Sequence, residues 1–144
     1  MKRILAPILI ALTFTVMFSS TSFAGWKKVT DELQTIKYAE FVWKSVLTFY
    51  VDFERIRKSD GYIYWWTIME REKAPLGTNE LSFQSYAQGD CKIFRYKFLQ
   101  YVAYEERMGR GRGRNITDKN PEWIYPTPNS SNETVLKSVC AYAK

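Results

Sequence analysis

Histidine is absent from the 144 residues, and cysteine occurs only twice. The first absence excludes His-based triads, His general bases and His metal ligands. Two thiols are too few for a structural zinc cluster. No G-x-S-x-G elbow, phosphate loop or dinucleotide fingerprint occurs. The adjacent carboxylates Glu105 and Glu106 would point to opposite faces of a strand and cannot converge on one bond. No catalytic residue, metal site or cofactor is therefore expected. The chain is instead rich in apolar and aromatic side chains, at 46% and 17%, with ten Tyr and five Trp. That composition suits one folded domain with a core, and excludes a disordered chain.

Long hydrophobic runs are also scarce. The one at the N-terminus, Leu5 to Phe18, follows Lys2 and Arg3 and gives way to a Ser/Thr stretch ending Ser22-Phe23-Ala24. A positive start, a short apolar run and small residues at −3 and −1 describe a secretory signal, with cleavage expected after Ala24. The run is too short for a spanning helix, and no later segment resembles one. Residues 1–24 are thus read as signal and 25–144 as the domain, exported to the periplasm or beyond and soluble after cleavage. No cysteine stands near the cleavage point, so a lipid anchor is not expected. Losing Lys2 and Arg3 lowers the formal charge from +6 to +4. That is too small a surplus to predict a nucleic-acid partner.

Both cysteines, Cys91 and Cys140, fall in the exported part, where an oxidising compartment would pair them. Free catalytic thiols would be expected in C-x-x-C spacing, which is missing.

Trp26 to Leu33 reads as a first strand. Residues 34–46 are ambiguous, because helical spacing competes with strand-forming Tyr, Phe, Val and Trp. A short strand is expected at Leu47–Val51, with Asp52 capping a turn after it. Ser59-Asp60-Gly61 is a turn signal, followed by the strongest strand, Tyr62–Met69. Leu81–Gln88 and Cys91–Tyr104 should form a hairpin joined tightly at Gly89-Asp90. Pro121–Pro128 suits an extended edge. Ser130 with Glu133 forms a capping box opening a C-terminal helix, whose apolar stripe holds Val135, Leu136, Val139 and Cys140. The expected fold is α+β: a single small antiparallel β-sheet with a C-terminal α-helix tethered to it by a disulfide.

An ordered set of short motifs carries a resemblance. Phe49-Tyr50-Val51-Asp52, Ile56-Arg57, Gly61-Tyr62 with Trp65, Ser85-Tyr86, Asp90-Cys91, Arg95-Tyr96, Trp123, Pro128-x-Ser130 and Val139-Cys140 together resemble the surface-adhesin protein E family. The resemblance runs from about Phe49 to Cys140. It implies the same small sheet with a disulfide-tethered helix, and a bacterial envelope setting. The family's founding adhesin is a lipoprotein that binds host matrix proteins and plasminogen. Relative to that pattern, residues 34–46 look like an insertion.

Two features remain for contact with a partner. Arg107, Arg110, Arg112 and Arg114 lie in a glycine-rich loop that could form a cationic rim for an anionic envelope or matrix partner, or simply a solvated loop. Along the long strand, Phe94, Tyr96 and Phe98 share one face. The Cys91 face takes the helix, unless a bulge reverses parity before Phe94. One short helix cannot cover both faces of so apolar a sheet. Either residues 34–46 supply a second cover, or a face is left for a protein partner or a second copy of the chain. The expected function is a non-catalytic binding module. The competing reading is a small secreted enzyme or enzyme inhibitor, which a convergent polar pocket would favour.

Overall fold

The computed structural model describes residues 25–143. The expected signal segment lies outside the described residues. Seven strands form one antiparallel sheet: β1 (Trp26–Tyr38), β2 (Phe41–Asp52), β3 (Arg57–Ser59), β4 (Tyr62–Arg71), β5 (Ser82–Asp90), β6 (Arg95–Tyr104) and β7 (Gly113–Asn115). Helix α1 spans Ser131–Tyr142. The sheet order is β1-β2-β4-β5-β6-β7, with β3 beside β2 on the same edge of β4. The expected α+β fold is therefore the observed one.

Local chemistry explains the joints. Asp52 accepts a hydrogen bond from the Glu54 N–H and caps a single turn, Phe53–Arg55, which separates β2 from β3. Asp60 and Gly61 both take positive φ, at 52° and 81°, giving the two-residue hairpin between β3 and β4. Ile124 exchanges backbone hydrogen bonds with Tyr96, so the proline-rich segment does lie along a sheet edge.

Strand alternation then selects the core. Leu47, Phe49 and Val51 of β2, Ile63 and Trp65 of β4, Ala87 of β5 and Tyr96 of β6 are buried against Val135, Leu136 and Val139 of α1. Gly89 belongs to this face for a steric reason. A Cβ there would stand 2.7 Å from the Trp65 ring and 3.1 Å from a Leu136 methyl, so glycine permits the helix to approach.

Three expectations need correction. Residues 34–46 are neither helix nor cover. They complete β1 and β2 as one long hairpin that projects past the end of β4, because β4 pairs only with Leu47–Val51. The β5–β6 turn is not Gly89-Asp90 but the four residues after them. Asp90 ends β5, its carboxylate accepts the Lys92 and Ile93 N–H groups, and its carbonyl accepts the Phe94 N–H at 2.8 Å. The long strand consequently begins at Arg95, and Cys91 stands in the turn, outside the strand alternation. Finally, Leu99 is a bulge: Ala87 pairs with Phe98 and Tyr86 with Gln100. The extra residue brings Tyr101 onto the same face as Phe98, whereas strict alternation separates them.

Candidate functional site

Cys91 and Cys140 are joined by a disulfide with Cα atoms 5.8 Å apart, which ties the last turn of α1 to the β5–β6 turn. At the other end of the helix the Ser130 hydroxyl accepts the Glu133 N–H at 3.2 Å. The Glu133 carboxylate reaches back to the N–H of Asn129, one residue before the cap, and pairs with Lys137. These two contacts, Lys137 foremost, hold the Glu133 carboxyl below its usual range. Ser130→Ala should destabilise the domain by about 1 kcal/mol. Chemical unfolding of the variant checks this, and an unchanged midpoint would remove the cap from the account.

The arginines do not form a free rim. Arg107 lies 3.7 Å from the Glu70 carboxylate and donates to the Glu72 carbonyl at 3.0 Å. Arg112 pairs with Glu105 at 3.2 Å, and Arg114 with Glu80. Arg110 donates to the Arg107 carbonyl and makes no ion pair among the described residues. The segment is also not a plain solvated loop. Its Met108 and Gly109 N–H groups bond to Glu70 and to the Ser82 hydroxyl, and Gly113–Asn115 joins the sheet as β7. Buried Glu70 and Ser82 thus fold the loop back onto the sheet.

The aromatic trio also sits differently. Tyr96 is 4% exposed in the core under α1, with Phe94 and Phe98 packed against it. The face left open by the helix is the opposite one. There Tyr64 and Trp66 of β4 stand beside Tyr86 of β5, with ring centroids 6.1 and 4.8 Å from it, all half-buried. Nearby, Trp123 stacks on Tyr62 and receives the Arg95 guanidinium 4.3 Å above its ring.

The most exposed apolar surface is the end of the β1–β2 hairpin. Tyr38 is 81% exposed and Phe41 68%, on either side of the Ala39-Glu40 turn. Register pairs Tyr38 with Phe41 and Ile36 with Trp43 on one face. Pro75 and Leu76, from the β4–β5 connection, line a shallow groove of about 360 Å³ with these four. The sequence reading did not single out Tyr38, Phe41 or Leu76 as contact residues.

Comparison with known proteins agrees with this architecture. Residues 37–141 match the surface-adhesin protein E family. The chain belongs to that family. The matched span reaches further toward the N-terminus than the motif-bearing residues from Phe49 onward, and takes in the hairpin end. The fold is similar to that of Haemophilus influenzae protein E. Its crystal form II gives a TM-score of 0.56 at 17% identity, over 67% of this chain and 83% of that one. Its selenomethionine form gives 0.53 at 15% identity, over 79% and 94%. At such identities the likeness is one of fold. No sequence among the curated proteins matches the chain. The family is one of surface adhesins. No helix among the described residues is long and apolar enough to cross a membrane.

Proposed function

We propose that this surface-adhesin protein E family member is a non-catalytic binding module of the bacterial envelope, exported by its first 24 residues, that grips a protein partner through the apolar end of its β1–β2 hairpin. The observation that carries the reading is the exposure of Tyr38, Phe41 and Leu76 (79%) together at a projecting end of the sheet. Isolated apolar residues on a surface need no explanation, but a cluster of large ones marks an interaction site. Tyr and Phe supply wide contact area at little cost in side-chain entropy. A contact led by charge is less well supported, since Glu70, Glu105 and Glu80 already occupy three of the four loop arginines.

The test is binding of the exported chain to immobilised envelope and matrix proteins, at low and high salt, for wild type and Tyr38→Ser/Phe41→Ser. Burying two aromatic side chains in a partner contributes roughly 1.5–3 kcal/mol each, so the double variant should bind at least about a hundredfold more weakly. Its melting temperature should stay near that of wild type, because both side chains already lie in solvent. Apolar contact should also survive salt, whereas exposed charge pairs are screened. Equal binding by the variant would remove the hairpin from the contact. If the variant changes only the mass of the chain in solution, the occupant is a second copy.

A further inference from the structure

Helix α1 leaves part of its side of the sheet uncovered. Beside its first turn lies a cavity of about 250 Å³, floored by β2, β4, β5 and β6 and flanked by Glu32 of β1 and by Asn132 and Val135 of the helix. Six of its lining side chains are aromatic: Phe49, Trp65, Phe83, Tyr96, Phe98 and Tyr101. Four of them run as a row, Tyr96–Phe98–Tyr101–Phe83, with successive centroids 5.3, 5.4 and 5.7 Å apart. The Leu99 bulge creates this row by turning Tyr101 onto the face of Phe98. Of the polar groups within, the Thr67 hydroxyl is taken by the Trp65 indole N–H at 3.0 Å.

Glu32 is the only charged residue on the lining. It pairs with Leu47 of the core, which places it on the helix side of the sheet, and it is exposed, so a solute can reach it. One carboxylate oxygen accepts the Ser131 hydroxyl at 2.6 Å, which fixes the group at the start of α1. Glu32 makes no ion pair among the described residues. A carboxylate beside an apolar cavity, with no counter-charge, offers a cation both an ion pair and a charge-assisted hydrogen bond. Ring faces carry negative charge, so an aromatic wall also suits a cation better than an aliphatic one. Arg71 stands outside the lining, with its guanidinium 4.7 Å over the Phe83 ring of β5, three strands from Glu32 in the sheet. A ligand with one positive charge therefore has a single favourable orientation, and a second positive charge at its far end would be repelled by Arg71.

We propose that this cavity binds a small amphipathic monocation, a primary arylalkylamine in its ammonium form, with the ammonium on Glu32 and the apolar body among the aromatic side chains behind it. The size is suitable: a dry apolar cavity of about 150 Å³ accepts benzene, so this one has room for a single ring and a short amine arm. The site lies under the start of the helix, away from the projecting hairpin end, so either reading can fail without the other.

The experiment titrates the exported chain with three ligands of similar shape: 2-phenylethylammonium, neutral 2-phenylethanol and anionic 3-phenylpropanoate. Amide and indole NMR shifts follow the binding. The ammonium should bind saturably, with shifts centred on the Trp65 indole, Ser85 and Asn132. Losing the charge-assisted contact should make the alcohol about tenfold weaker. The carboxylate, repelled by Glu32, should bind more weakly still. Glu32→Gln keeps an acceptor for the Ser131 hydroxyl and should abolish the advantage of ammonium over alcohol. The three-ligand comparison in wild type decides the matter even if the variant folds poorly. Equal binding of ammonium and alcohol, or a carboxylate that binds as well as the ammonium, would overturn the proposal. So would shifts centred elsewhere, an unchanged preference in a folded Glu32→Gln chain, or no binding at millimolar ammonium.

Discussion

Reducing the Cys91–Cys140 disulfide, or replacing Cys140 by Ser, should lower the stability of the domain by about 4 kcal/mol. The bond closes a loop of 49 positions, and a crosslink of that span removes roughly this much entropy from the unfolded chain, within a usual range of about 2–5 kcal/mol. The fold gives a second reason for a large effect. Helix α1 has 12 residues, too few to persist alone in water. It is fixed by its buried stripe and, at its last turn, by Cys140. Without the bond the end of the helix frays, and Val139 loses its cover over the sheet. For a domain of this size, the change amounts to a fall of roughly 15 °C in melting temperature. Thermal unfolding with and without reductant, followed by near-ultraviolet dichroism, measures it. Coincident curves would show that the packed stripe alone holds the helix.

Much of this architecture was legible because local chemistry and long-range packing agree. Ser59-Asp60-Gly61 is a turn signal, and the chain turns there, between β3 and β4. Ser130 and Glu133 mark a helix start that nothing in the core opposes. Three features escaped for physical reasons. The β1–β2 hairpin has mirrored large apolar residues, Ile36 and Tyr38 against Phe41 and Trp43, but turns on Ala39-Glu40. Ala39 adopts φ 52°, a region that alanine rarely visits, so turn chemistry concealed the hairpin. The β5–β6 turn was placed two residues early because Gly89 suggests a bend, whereas it is there for the approach of Leu136. A single-residue bulge at Leu99 then defeated any assignment of faces by alternation alone. The loop arginines could not be resolved from sequence either, because their partners Glu70 and Glu80 come from another strand and another connection.

Leu136→Ala should cost about 3–4 kcal/mol, in the upper part of the range for buried leucines. Leu136 is 0% exposed, and one of its methyls fills the space above Gly89, next to the Trp65 ring. The cost depends on whether neighbours can close the void. Here the cap at Ser130 and the disulfide at Cys140 hold both ends of the helix, and four strands form the floor, so little collapse is open to it. The companion variant Gly89→Ala should cost about 1–3 kcal/mol by overpacking the same space. The two changes should not add. Removing the Leu136 methyls frees one of the contacts that crowd a Cβ at position 89, while the Trp65 contact at 2.7 Å remains. The double variant should therefore be more stable than the sum of the single losses predicts, by about 0.5 kcal/mol or more. Urea unfolding of the four proteins closes the cycle. Strict additivity would show that the β4 side chains Trp65 and Ile63, and not the close approach of the helix, demand glycine at position 89.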